Sequence, residues 1–410
     1  MIHKSIKYRL YPTLLQQIIL AQIFGIQRFI YNHFLWARKW RYEDFKSGLI
    51  TKEQARSSYY DDCKMLTSLK KEYDWLFESP NPGLQSTLKN LDAAYKRFFK
   101  TKQGYPKLKK KHHGKNSFTL TNQAFKIDKD KICCKSFFGS IPFIRHKPII
   151  GRILNATISQ KPSGKYYVSF TYECEAKHLP KSDKSIGLDL GIKDSIVTSD
   201  GIKFSNPKYL KQYELKLAFA QKQKSKKIFR SKNYDKAKIK AAKIYDKISS
   251  SRKSFLHQIT SKLINENQVI CIEDLNSKGM VQNHCLAKAI GDASFGEIVR
   301  QLEYKAQWYG RTVIKVNRFF PSSKLCSCCG FKNEFLTLSD REWVCLNCGT
   351  VHDRDINASN NTLEEGLRIH GESLIKAENA CRLKPVELPS LDGAVKQEFH
   401  TVGDNCQQNG

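Results

Sequence analysis

Two kinds of residue in this chain could do chemistry: thiols at metal-binding spacing and acids set into apolar strands. The stretch CSCCGFKNEFLTLSDREWVCLNCGTVHDRD runs from Cys326 to Asp355. Cys326 with Cys329, and Cys345 with Cys348, form two C-x-x-C knuckles whose four thiolates suit a tetrahedral structural Zn2+. Gly330 and Gly349 directly follow the second cysteine of each pair, where a permissive backbone can turn its N–H groups toward sulfur. Cys328 stands one residue short of the knuckle spacing and is expected to be a bystander.

The acids come from three separate segments. Asp189 lies in GLDLGIKD with Ile186, Leu188 and Leu190 around it, and Glu273 closes the apolar run of QVICIEDLN. An acid in such a setting is costly to ionise unless a cation or a strong donor attends it. Asp355 stands where a helix can begin, in DINASNNTL. Singly, these read as a turn former, a strand end and an N-cap. Together, at the ends of strands and a helix, they make a cage for two Mg2+ ions about 3.5–4 Å apart, able to activate water and stabilise the leaving oxygen in phosphodiester hydrolysis. Carboxylate and water are the ligands Mg2+ prefers. Asp194, Asp200, Asp274 and Asp353 compete for the role, and spacing alone leaves Asp274 and Asp353 open.

The elements that must position these groups follow from periodicity. Residues 1–12 read as a first strand, and 13–104 as a helical module in which Leu84, Leu88, Leu91, Ala94, Tyr95 and Phe98 recur at helical steps. Gln85, between them, is a candidate for contact with DNA. Residues 105–182 read as a small β-barrel, with a turn at Lys161-Pro162-Ser163-Gly164. At its start, Lys109, Lys110 and Lys111 could grip phosphates while Tyr105 or Phe118 stacks on a base. Residues 183–321 read as a sheet domain interrupted by a basic helical hairpin at about 205–265, zipped by Leu215, Phe219, Ile239, Ile244 and Ile248. Residues 322–351 hold the cysteine pairs, 352–365 a helix that presents Asp355, and 366–410 a tail of short helix and mobile chain.

The chain of 410 residues carries 70 Lys+Arg against 39 Asp+Glu, a formal charge of +31. With 40% hydrophobic residues it can still build packed cores, so the charge decorates a folded protein and points to a polyanion. No apolar run reaches the ~18 residues of a membrane span and no lipidation motif occurs, which favours nucleic acid over a membrane surface. Between Lys208 and Lys253 lie 16 Lys/Arg and 3 Asp/Glu, a density expected along a sugar-phosphate backbone. The opening MIHKSIKYRLYP lacks a signal-peptide core, and the 13 cysteines are odd in number, so a reducing, cytoplasmic setting is expected.

The ordered motifs GLDLGIKD, IEDLN, SSKLCSCCG, WVCLNCG and HDRDINASNN resemble the RuvC-like nuclease and zinc ribbon of the TnpB (OrfB) proteins of bacterial insertion sequences, relatives of the type V CRISPR effectors. YRLYPTLLQQ, FIYN, LDAAYKRFFK, GYPKLKKK and ASFGEIVRQLEYKAQWYG extend the resemblance over most of the chain from Lys7 to about Leu363. It implies an α/β multidomain protein: an RNase H-like (RuvC) domain with an inserted zinc ribbon and basic hairpin, beside a wedge-like barrel interrupted by a helical recognition module. It further implies an RNA-guided, Mg2+-dependent DNA endonuclease. A guide RNA derived from the transposon end pairs with double-stranded target DNA beside a short adjacent motif, and both strands are cut. By resemblance the catalytic and magnesium-binding acids are Asp189, Glu273 and Asp355, which decides against Asp274 and Asp353. The zinc ligands are Cys326, Cys329, Cys345 and Cys348, and Arg354 is expected near the scissile phosphate. A monomer with bound RNA, associated with the nucleoid, is the expected assembly. A miniature CRISPR effector, a non-cleaving RNA-guided binder and a transposase accessory protein are the alternatives. Ser359 stands where the family usually has Ala, facing a tight helix contact.

Overall fold

The computed structural model describes residues 1–111, 116–337 and 339–382. Its first half combines β1 (Ile2–Leu10), the helices α1 (Leu14–Lys46), α2 (Lys52–Ala55), α3 (Tyr59–Glu72) and α4 (Asn81–Thr101), and the strands β2 (Asn116–Thr121), β3 (Lys126–Asp128), β4 (Lys131–Cys134), β5 (Gly139–Ile144), β6 (Arg152–Gln160) and β7 (Tyr166–Cys174). The seven strands pair antiparallel in the order β2-β6-β7-β1-β5-β4-β3. Alternation turns Tyr8, Leu10, Phe118, Ile158, Val168 and Phe170 into one shared core. Among the described residues no ladder joins β2 to β3, so the expected barrel is a curled sheet. α1 starts from a Thr13–Gln16 capping box. Its first turns bury Leu20, Ile23 and Phe24 in the sheet's core. Its later turns bury Ile30, Phe34 and Leu35 against Leu66, Leu84, Leu88 and Leu91 of α3 and α4.

The second half carries β8 (Ser185–Asp189), β9 (Asp194–Thr198), β10 (Lys203–Ser205), α5 (Tyr209–Gln212), α6 (Glu214–Ser225), α7 (Lys232–Glu266), β11 (Val269–Glu273), α8 (Ser277–Met280), α9 (His284–Ala293), α10 (Phe295–Tyr309) and β12 (Thr312–Val316). After them come β13 (Glu342–Val344), β14 (Val351–Asp353) and α11 (Arg354–Arg382). The sheet order is β10-β9-β8-β11-β12, antiparallel as far as β8 and parallel from there on. Residues 366–382, expected in the tail, continue α11, and 383–410 lie outside the described residues.

One face of this sheet, with Ile186, Leu188, Ile270 and Ile272, packs on Leu256, Leu263, Ile298 and Leu302 of α7 and α10. The other face meets α11, and glycine makes the approach possible. A Cβ on Gly187 would lie 2.0 Å from the Ser359 carbonyl oxygen, and one on Gly366 would lie 2.3 Å from Cys271 Sγ. The hairpin of α6 and α7 keeps Ile248 from the stripe periodicity suggested, buried at 3% exposure, but otherwise closes on different residues. Leu215 and Phe219 are 85% and 64% exposed, while Leu217, Ala237, Ala241 and Ile248 are buried. The small alanines let the helices approach, and Leu217, two residues from each exposed neighbour, faces inward in their place.

Candidate functional site

Parallel pairing of β8 with β11 sets Gly187 beside Cys271 and Leu188 beside Ile272, so Asp189 and Glu273 are the next residues along the two strands. By alternation both share the face of Gly187 and Cys271, which α11 covers. Asp355 lies in the first turn of that helix. The three acids therefore converge where two strands end and a helix begins. Burial, then the charges of Glu273 and Asp355, push Asp189 up to about 7, against the opposing effects of the Leu190 N–H and Arg354. Burial also raises Glu273, partly offset by a hydrogen bond from the Ser322 hydroxyl. Carboxylates that repel one another in a partly dry site fit a dication, which relieves that repulsion.

Asp353 and Asp274, the two competitors that spacing left open, are otherwise engaged. Asp353 Oδ1 accepts from the N–H groups of Asp355 (3.1 Å) and Ile356 (3.0 Å), capping α11, and its other oxygen pairs with Lys203. Burial would raise this carboxyl, but Lys203 and the two N–H groups hold it below the usual range. Asp274 pairs with Arg318 at 3.0 Å on the surface. Asp355 has Arg341 at 3.6 Å.

The support of the site runs through asparagines that sequence reasoning passed over. Asn361 Nδ2 donates to the carbonyls of Ser322 and Leu325, each at 2.7 Å, and Asn357 bridges the Leu325 carbonyl and the Ser327 N–H. α11 thus grips both the serine that holds Glu273 and the entry to the first knuckle. Their only sequence signal was three asparagines inside a helix, where such residues are unfavourable unless they bond to something beyond it.

The sulfurs of Cys326, Cys329, Cys345 and Cys348 all lie within 4.8 Å of one another. The Cys326–Cys348 and Cys329–Cys345 separations are both 3.6 Å, close to the about 3.8 Å edge of a tetrahedron with Zn–S bonds of about 2.3 Å. The N–H groups of Cys328 and Cys329 bond to Cys326 sulfur, and the positive φ of Gly330 and Gly349 (73° and 70°) turns both knuckles. Hydrogen bonds from Thr350 hold Cys348 down to about 6, which favours thiolate. The donor set fits Zn2+. His352, which the sequence reading missed, puts Nε2 3.0 Å from Cys326 Sγ.

The expected nucleic-acid contacts divide. Lys109 sits with Nζ 3.8 Å from the Tyr31 ring centroid, and its backbone exchanges two hydrogen bonds with Asn32, so it pins this segment to α1. Lys110 and Lys111 are exposed. Phe118 is 3% exposed and packs against Phe24, so it has no face to offer a base; Tyr105 keeps one, at 43% exposure. Gln85 lines a polar cleft of about 330 Å³ with Tyr59, Lys89, Asn90, Thr119 and Asn155, between α4 and the edge of the curled sheet. Arg354 is buried, its guanidinium donating to the carbonyls of Thr337 and Asp340 in the loop between the knuckles. It is still near enough to lower Asp189.

Residues 1–47 match a family described as a helix-turn-helix domain of OrfB_IS605, 169–284 match OrfB_IS605, "Probable transposase", and 295–362 match "Cas12f1-like, TNB domain". A Streptomyces pristinaespiralis protein named "Putative RNA-guided DNA endonuclease" is 35% identical over 97% of this chain and 96% of its own length. "Putative RNA-guided DNA endonuclease InsQ" of Escherichia coli K12 is 28% identical over 94% of this chain and 98% of its own. A solved Cas12f1 in complex with sgRNA and target DNA aligns with a TM-score of 0.53 at 14% identity, over 88% of this chain and 98% of that one, a likeness of fold.

Proposed function

The chain belongs to the OrfB (TnpB) family of insertion-sequence proteins, and from that premise we propose that it is an RNA-guided DNA endonuclease cutting through Asp189, Glu273 and Asp355. The observation that carries this reading is the convergence of the three acids on the α11 face of the second sheet, with Asp189 pushed up by burial and then by its two partners. A mixed sheet with its acids at strand ends supports a RuvC-like domain, and the four sulfurs support a zinc ribbon inserted before α11.

Magnesium bound by the three acids would stabilise charge on the phosphate and acidify an attacking water. The chain itself does the rest. Ser322 orients Glu273, the Asp353 cap and the Asn357–Asn361 grip fix the start of α11, and Arg341 beside Asp355 can meet the phosphodiester. The basic hairpin, together with Lys110 and Lys111, would hold guide RNA and DNA backbones through phosphate contacts. The cleft at Gln85 would read bases of the motif beside the target.

The test is co-expression with the flanking insertion-sequence DNA, purification, and cleavage of a matched duplex. RNA should co-purify, cutting should require Mg2+, and Asp189→Ala should lower the rate by roughly a thousand-fold or more. Cutting that persists in Asp189→Ala, or purification without RNA, would sink the proposal.

A further inference from the structure

The ribbon holds more donors than one tetrahedral ion needs. Besides the four cysteines, the ligand atoms of Cys326, Cys328 and His352 also lie within 4.8 Å of one another, and Cys326 is common to both sets. His352 is built into this position. It pairs with Trp343 across the β13–β14 ladder, its ring lies 4.8 Å from the Trp343 ring, and it is 7% exposed. Its Nε2 stands 3.0 Å from Cys326 Sγ, against about 3.6 Å for sulfur and imidazole nitrogen on one tetrahedral zinc. The four-cysteine set alternates buried Cys326 and Cys345 with exposed Cys329 and Cys348, so its vulnerable members are the second cysteines of the knuckles.

We propose that Cys326, Cys328 and His352 form a second, overlapping site for a thiophilic divalent ion such as Zn2+, occupied when an exposed cysteine of the first set is removed. Cys326 acts as the hinge common to both sets. The ion moves to the other side of the same buried sulfur, onto an imidazole already in place, and keeps one open position for water. Cys328 is then silent while four cysteines are intact and becomes a ligand when they are not. The proposal rests on the metal reading of the four cysteines, which the zinc content of the unaltered protein tests separately.

The experiment uses the full-length protein purified with its RNA, with zinc measured by elemental analysis and coordination by the absorption of Co2+-substituted samples. The unaltered protein, Cys328→Ser and His352→Ala should each hold one zinc. Cys329→Ser should still hold close to one, with the thiolate-to-cobalt charge-transfer band falling to about half as two thiolates replace four. Adding His352→Ala or Cys328→Ser to Cys329→Ser should bring zinc below about a tenth of an equivalent. Cys348→Ser, alone and in the same combinations, repeats the test from the other knuckle in case one variant misfolds. The proposal is overturned if Cys329→Ser and Cys348→Ser both lose the metal outright. It is equally overturned if they keep it regardless of His352 and Cys328, since three remaining cysteines would then suffice. An unaltered protein without zinc would overturn the four-cysteine reading and this one with it.

Discussion

Burial and two neighbouring carboxylates hold Asp189 protonated up to about pH 7 in the metal-free protein. Its folded pKa is raised, so between about pH 4 and pH 7 the unfolded chain ionises this group while the folded chain does not, and stability falls as pH rises. A shift of about three units corresponds to at most about 4 kcal/mol. In magnesium-free buffer, Asp189→Asn should therefore match the unaltered protein near pH 4 and melt at a clearly higher temperature at pH 8, while losing the DNA cleavage proposed for it. Equal melting at pH 8 would contradict the charge crowding. For the same reason Mg2+ affinity should rise with pH up to about 7 and then level off, measurable by titration calorimetry. The positions of Asp189 and Glu273 were legible because an acid inside an apolar strand stands out whatever surrounds it. His352, Arg341 and Ser322 were not, since each acquires its role from a partner 14 to 49 residues away in sequence.

At the scale of elements, α11 does two jobs with two sets of residues. Small residues, Gly187 below and Gly366 within the helix, set its height above the sheet, while Asn357 and Asn361 set what it holds. Gly187→Ala should destabilise the protein by about 1–3 kcal/mol through overpacking against the Ser359 carbonyl, and lower cleavage further by moving Asp355. Thermal melts and single-turnover rates would check this. Asn361→Ala, which leaves the Ser322 carbonyl without its donor and the Leu325 carbonyl with that of Asn357 alone, should cost about 1–3 kcal/mol and lower cleavage and zinc retention together. If zinc content holds while cleavage falls, the grip on the first knuckle is weaker than the geometry indicates. Ser359 turns its hydroxyl back to the Ile356 carbonyl at 2.7 Å, which fits a hydroxyl into a contact suited to Ala. The existence of the hairpin was plain from its charge, but its inner stripe was foreseen only at Ile248. Leucine and phenylalanine at helical spacing mark an apolar face, and only the partner helix decides whether that face is the one covered.

For the whole molecule, charge is the global property that matters: +31 in all, with 16 Lys/Arg against 3 Asp/Glu between Lys208 and Lys253, the segment that holds the hairpin. Exchanging Lys222, Lys224, Lys226 and Lys227 for Gln should weaken RNA binding and flatten its dependence on salt, by about 0.7 in the log–log slope for each phosphate that is no longer neutralised, read from affinities at several salt concentrations. An unchanged slope would place the RNA elsewhere. Both sheets were foreseeable from periodicity, but the open curl of the first was not, because alternation specifies an inward face and not whether the ends of a sheet meet. A different consequence follows from α1, which gives Leu20, Ile23 and Phe24 to one core and Ile30, Phe34 and Leu35 to another. The helix is a splint across the two amino-terminal units, so neither can be exchanged for a relative's by cutting at the loop before Thr13. A transplantable cassette would have to be spliced within the helix, between Phe24 and Ile30, where one core hands over to the next.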